Sequence, residues 1–225
     1  MDFNYLAENL PLLFKAAWVT VWLTALTLVL STIIALPLSV VGLTRVSLAS
    51  RALDTATLLL RSLPTLVILF FFYYGLPQFG IVLAPLPVAV IGLTLSAVAY
   101  NIEIFRSGLR AVDPGQIEAA RALGLPGWRI WVQIVFPQAL PIFTPTYLSN
   151  ATLVLKGTSV ASIITIPELT SVANEIVSMT YQPFEILIAA ALMYILMGGI
   201  LSLAAQGVRW NMARRLVPSQ KEAGA

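Results

Sequence analysis

The chain has no cysteine and no histidine, and only 10% of its 225 residues are charged. Each shortage excludes some chemistry. Without cysteine there is no disulfide, thiol nucleophile or iron–sulfur ligation. Without histidine the commonest metal ligand and the commonest general base are gone. Lysine is nearly absent: Lys15, Lys156 and Lys221 are the only three, and none follows a glycine as a phosphate-binding P-loop requires. Such a chain does not hydrolyse ATP by itself. Soluble domains carry about 25% charged residues, whereas this chain is 59% hydrophobic with a mean hydropathy of +0.89. It cannot cover a water-facing surface, so a lipid bilayer must be part of its solvent. The net charge of +3 gives no reason to expect nucleic acid as a partner.

What is present is long apolar runs separated by sparse charges. The first charges, Asp2 and Glu8, are acidic, and the first apolar stretch is far longer than the core of a secretory signal. That stretch is expected to stay in the mature protein. A membrane-crossing helix needs roughly 20 mainly apolar residues, and the gaps between charges predict spans near 16–43, 53–75, 88–105, 142–165 and 186–208. Residues 76–80 and 85–87, rich in Pro and Gly, read as a loop between the second and third.

Lys and Arg beside the spans set their direction. An outside N-terminus puts Arg45, Arg51, Arg106, Arg110, Arg121, Arg129, Arg209, Arg214, Arg215 and Lys221 on cytoplasmic segments. The outer segments then hold at most Lys15 and Lys156, against Asp2, Glu8, Glu168, Glu175 and Glu185. The expected fold is an all-α integral membrane bundle of five spans, with the N-terminus outside and the C-terminus cytoplasmic. Residues 1–225 form one transmembrane domain in this reading.

The most polar stretch is the cytoplasmic segment 107–138. Asp113 suits a helix cap and Pro114 the first helical turn. Strong helix formers follow from Gln116 to Leu123, and Gly124 suits a left-handed terminating residue. Pro126-Gly127 turns the chain into a second helix carrying Trp128 and Trp131. The spacing predicts a short helix outside the membrane with Glu118 and Arg121 at i,i+3. Composition alone leaves open an amphipathic helix resting on the lipid surface.

The letters go further. Glu118-Ala119-Ala120, Gly124 and Ile134-Val135-Phe136-Pro137 resemble the EAA signature of ABC-type importer permeases. Arg61-Ser62-Leu63-Pro64-Thr65-Leu66, Tyr100-Asn101-Ile102-Glu103-Ile104-Phe105-Arg106, Leu155-Lys156-Gly157-Thr158-Ser159 and Ile166-Pro167-Glu168-Leu169-Thr170 are similar to its polar amino-acid branch (permeases for histidine, arginine, glutamine or glutamate). The likeness runs in order from about the first span to the C-terminus. It implies a type I importer permease in a bacterial cytoplasmic (inner) membrane. The helix carrying Glu118, Ala119, Ala120, Arg121 and Gly124, taken as 114–128, would dock on a separate cytoplasmic ATP-binding subunit dimer. That partner would bind the ATP and Mg, with no cofactor in this chain. A second permease chain, identical or paralogous, and an extracytoplasmic solute-binding protein would complete the assembly. One departure stands out: the branch usually has Asp after the lysine, where this chain has Gly157.

Charges at membrane depth mark cavities or partners. Arg61 lies in the second span and Glu103 near the inner end of the third. Either Arg61 extends to the inner interface while Glu103 pairs locally with Arg106, or Arg61 and Glu103 bridge the two spans. Pro137, Pro141 and Pro145 argue against a continuous helix. If the fourth span starts near Pro145, Lys156 falls about 16 Å deep, near the middle of a roughly 30 Å core. Thr158 and Ser159 would then add hydroxyls to a substrate path. A secondary transporter or channel is the alternative, although such proteins usually show internal repeats and none is visible here. A membrane enzyme is more remote without His or Cys.

Overall fold

A computed structural model describes residues 3–43 and 48–216, with side chains for 5–43 and 48–211. Arg45 and Lys221 lie outside the described residues, as do the side chains of Arg214 and Arg215. The described residues hold helices and turns and no strand. Three helices are long and apolar enough to cross a bilayer. These are α1 (Phe3–Val41), α4 (Pro85–Arg110) and α9 (Pro183–Leu216). The helix α2 (Leu48–Ser62) is followed by α3 (Thr65–Phe70), with a π turn at Phe71–Gly75 and a 3-10 turn at Leu76–Phe79. Between α4 and α9 come α5 (Pro114–Ala122), a short α6 (Gly127–Arg129), a π segment (Ile130–Val135) and α7 (Phe136–Gly157). A 3-10 segment (Thr158–Ile164) and α8 (Leu169–Thr180) complete the order. Five crossings result if each bent pair counts as one: Leu48–Ser62 with Thr65–Phe79, bent by 98°, and Gly127–Ile164 with Leu169–Thr180, bent by 50°.

The element bounds correct several expectations. The second span is two helices broken at Leu63-Pro64, because Pro64 has no amide to donate and disfavours helix at the residue before it. Residues 85–87 are no loop but the first turn of α4, where Pro85 loses nothing by lacking an amide hydrogen. Residues 76–79 are a 3-10 turn ended by Gly80 at φ 81°. Nor do the three prolines break the fourth span. Pro141 and Pro145 lie inside α7, and Pro137 is in its first turn. Spaced four apart, they share one stripe of the helix, and the π segment before them widens the turn that must absorb their missing donors. The first helix begins before Lys15, not at residue 16.

Lipid tails are as apolar as leucine, so packing and interhelical hydrogen bonds hold such a bundle. The outer surfaces of α1 and α9 are apolar and exposed, with Trp18, Ile33, Ile195 and Ile200 facing outwards, whereas α4 is mostly buried. Phe105 of α4 is the largest fully buried side chain and packs edge-on to Phe143 and stacked on Tyr147 of α7. Asn101 Nδ2 donates to Ser31 Oγ at 3.0 Å, and Asn150 Nδ2 donates to Asn101 Oδ1 at 3.0 Å, so one polar chain pins α1, α4 and α7. Thr32 and Tyr147 share a second link of 2.8 Å. Such bonds contribute on average about 0.6 kcal/mol each in a membrane bundle.

Beside the middle of α1, Glu168, counted by the sequence reading only among the outer-segment acids, caps α8 and is fully buried. Its carboxylate accepts from the Thr170 and Ser171 amides and from the Tyr194 hydroxyl of α9 at 2.8 Å. Thr20 of α1 accepts the Leu169 amide at 3.1 Å. Three helices therefore meet at one satisfied acid.

Candidate functional site

Two features stand out from the packed bundle: a polar helical hairpin at one end and a cleft between α3, α4 and α7. The hairpin is built by its caps. Asp113 accepts the Gly115 amide at 2.8 Å, and Pro114 opens α5. At the other end Leu125 N donates to Ala120 O and Gly124 N donates to Arg121 O, while Gly124 takes φ 74°. This is a Schellman closure, in which the left-handed residue carries no Cβ penalty. The helix therefore ends at Ala122 and does not run on to 128.

Ala120 is buried against the cluster that includes Ile130 and Val135, which fixes the hairpin to the foot of α7. Glu118, Ala119, Arg121 and Gly124 all face away and are exposed. Glu118 and Arg121 form no ion pair among the described residues. Sequence reasoning missed two apolar members of the same surface. Leu123 is 80% exposed, and Trp128 is exposed with the Arg129 guanidinium 5.3 Å from its ring centre. The signal was available: a leucine at a helix end just before the terminating glycine, with no core to enter.

The cleft has a volume of about 220 Å³, below the roughly 300–1,000 Å³ of pockets for drug-sized ligands. Its polar lining is Thr65, Ser96, Tyr100 and Asn150, with Gly157 at one side. Thr65 and Ser96 hydroxyls bond each other at 3.0 Å. The Arg61 guanidinium lies 5.3 Å from the Tyr100 ring centre, and Arg61 is exposed. Arg61 and Glu103 do not bridge the spans. Glu103 accepts from Arg106 at 3.0 Å, the local alternative, and the ion pair between α2 and α4 is Arg106 to Asp54 at 2.7 Å. The sequence reading placed Asp54 inside the expected second span, 53–75, and assigned it no partner.

Lys156 is exposed near the end of α7. Its neighbour Leu155 borders a groove with Thr24 and Leu28 of α1 and Met197 and Ile200 of α9, so Lys156 sits level with the middle of both long helices. Ser159 Oγ donates to Lys156 O at 2.7 Å, whereas Thr158 is fully buried and donates to Leu155 O. The Thr158 hydroxyl is thus turned into the bundle, away from Lys156.

A helical bundle with an apolar outer surface, two bent spans and a capped hairpin projecting from one end has the build of a multi-pass membrane protein. The chain belongs to the family of binding-protein-dependent transport system inner membrane components, which matches residues 27–216. It is 34% identical over 220 residues to the nopaline transport system permease protein NocM of Agrobacterium fabrum (strain C58), covering 93% of this chain and 91% of that protein. It is 36% identical over 211 residues to the probable glutamine ABC transporter permease protein GlnP of Bacillus subtilis (strain 168), covering 92% and 97%. Among solved structures, an amino acid ABC transporter crystallised with histidines superposes with a TM-score of 0.84 at 30% identity, covering 96% of this chain and 99% of that one.

Proposed function

We propose that this chain is the translocation subunit of an ATP-driven importer that moves a polar amino acid or amino-acid derivative from the outer face into the cytoplasm. The solute class is supported by its similarity to a nopaline transport system permease and a probable glutamine ABC transporter permease. The observation that carries the coupling is the hairpin: a helix locked at both ends by Asp113 and Gly124, anchored by Ala120, and presenting Glu118, Arg121 and Leu123 away from the bundle. Such a surface suits the groove of a separate cytoplasmic ATPase, which would bind ATP and Mg. An ATPase dimer has two grooves, so a second permease chain, identical or paralogous, would flank a shared path. A solute-binding protein would deliver cargo at the outer face.

The basic residues described beside the hairpin, Arg106, Arg110, Arg121 and Arg129, support a cytoplasmic hairpin, an outside N-terminus and a cytoplasmic C-terminus in a bacterial inner membrane. In this reading the chain contributes binding and gating: rigid α5 transmits movement of the ATPases to α4 and α7, which form the walls of the cleft. Lys156, Ser159 and Arg61 lie along the path, Glu103 stands one turn from Tyr100, and Thr158 supports the turn from behind. The test is purification of the chain from its native membrane with ATP hydrolysis as the readout. Hydrolysis that co-elutes with the wild type and is lost with Glu118→Lys is the expected result. A chain that transports with no ATPase attached is a secondary transporter or channel instead.

A further inference from the structure

Resting on the reading of this chain as one of two permeases around a shared path, we propose that the exposed face of α3 and of the π turn after it is the seam on which a second copy of this chain packs within the membrane. The Thr65 and Ser96 hydroxyls bond each other at 3.0 Å, and the Tyr100 hydroxyl donates to Arg61 O at 3.4 Å. These links hold the break between α2 and α3 level with the middle of α4 (Pro85–Arg110), and so at mid-membrane depth. Arg61, Ser62, Leu63 and Pro64 are all exposed there, at a bend of 98°. Lipid cannot cover such a place, because a charge, and backbone that has left the helix, need protein or water beside them. The long helices α1 and α9 differ: their exposed apolar residues sit on unbroken helix, which lipid covers.

Beyond the break, Val67, Phe70, Phe71 and Tyr74 recur at helical spacing and are all exposed, on the side away from buried Ile68 and Leu69. Leu69 is pressed onto α4 where Gly92 leaves it room. The Phe70 and Tyr74 rings meet edge to face at 5.4 Å, and Phe71 and Tyr74 lie on the π turn Phe71–Gly75. Large rigid rings with no charge among them are what protein interfaces concentrate at their centres. A closed two-fold pair sets each residue near its axis against its own equivalent. An uncharged stripe meets its copy in that way without like-charge repulsion. Arg61 is drawn onto the Tyr100 ring, 5.3 Å from its centre, on the α4 side of the break. Thr65, on the same short helix as the stripe, is a wall of the cleft, so a seam here sets the clefts of the two copies on either side of one path.

The chain has no cysteine, so single cysteines test the seam directly in the native membrane, with the ATPase attached. Val67→Cys, Phe71→Cys and Tyr74→Cys are oxidised one at a time. A disulfide forms only between Cα atoms closer than about 7 Å, so a covalent dimer of this chain appears only where a residue meets its own copy. At least one of the three should give about tenfold more dimer than Ile195→Cys, on the exposed face of α9. A photoreactive benzophenone amino acid in place of Phe71 keeps the aromatic bulk and should give the same dimer on illumination, which covers a cysteine variant that fails to assemble. Equal dimer from Ile195→Cys, adducts to a different permease chain, or benzophenone adducts to lipid alone overturn the proposal. So does the lack of any dimer in variants that retain the ATPase. The import reading is decided separately, by co-elution of the ATPase: a dimer formed with no ATPase attached would support the seam and sink the import reading.

Discussion

Arg106 on α4 and Asp54 on α2 are joined by a 2.7 Å ion pair that ties the first half of a broken span to the central helix. The same Arg106 Nη1 also donates to Glu103 at 3.0 Å, while Nε and Nη2 have no hydrogen-bond partner among the described residues. Arg106 is 4% exposed, so its charge depends on those two carboxylates. Gly42 at the end of α1 lets it pass, since a Cβ at 42 would overlap the guanidinium. Three helices are therefore registered by one buried cation.

That arrangement predicts a particular non-additivity. Either Asp54→Asn or Glu103→Gln alone leaves Arg106 one carboxylate. The double change leaves a buried cation with none, which is the costly case. The double mutant should lose about 1 kcal/mol or more beyond the sum of the singles, measured as thermal unfolding in detergent. Gly42→Val should resemble the double mutant. Exchanging Arg61 and Glu103 should rescue nothing, because the two do not pair.

The hairpin makes a separate prediction about geometry. Gly124 sits at φ 74° with open space around it, so Gly124→Val should fail through backbone strain of about 1–2 kcal/mol and not through a clash. Gly124→Asn should retain more ATPase than Gly124→Val, since Asn tolerates the left-handed region. Leu123→Glu leaves the turn intact and alters only its exposed tip. It should lower ATPase co-elution without changing the melting temperature. Equal co-elution in wild type, Gly124→Val and Leu123→Glu would remove the hairpin from the docking surface.

Much of this hairpin was legible because its signals are local. An Asp-Pro start, a run of helix formers and a glycine stop act within a few residues, and each took the role the sequence assigned. The long helices α1, α4 and α9 were legible for a similar reason: charge is expensive in lipid, so the long gaps between charges report the crossings. What the sequence concealed depends on how helices rotate against one another. Glu103 had two arginines within reach of argument, and only packing shows that Arg106 faces α2 and meets Asp54 there. Pro64 and Pro145 carry the same local penalty, yet one divides a span and the other lies buried inside α7. The difference lies in what surrounds each proline. The depth of Lys156 was argued from a proline break that does not exist, and its place level with mid-α1 comes instead from the packing of Leu155.

Asn101 should prove structural. It donates to Ser31, accepts from Asn150 and is fully buried between three helices. Asn101→Ala removes both bonds and leaves Asn150 Nδ2 without its acceptor. The expected loss is about 1–2 kcal/mol, read as a lower unfolding midpoint in lipid nanodiscs. Asn101→Asp should be worse, since a buried carboxylate there has only the Ser31 and Asn150 dipoles to offset its desolvation. A midpoint unchanged in Asn101→Ala would show that the polar chain contributes nothing net to packing.

Lys156 carries the sharpest prediction about the path. Its backbone lies level with the middle of α1 and α9, where an ammonium in lipid costs about 2.5–3.5 kcal/mol on insertion scales. The side chain is nevertheless exposed on a single chain. Exposure at that level is tolerable if the side chain faces water or solute in a path shared with a second permease chain, and not lipid. Lys156→Met keeps much of the stem and removes the charge, so it should abolish solute uptake while leaving ATPase co-elution intact. Lys156→Arg should retain more uptake than Lys156→Met, with less than wild type because the planar head occupies the site differently. The absence of cysteine makes accessibility easy to read. A single cysteine at 156 should react with a membrane-impermeant maleimide to an extent that changes when ATP is bound. Labelling that is complete from outside with and without ATP would place Lys156 at the outer interface and remove it from the path.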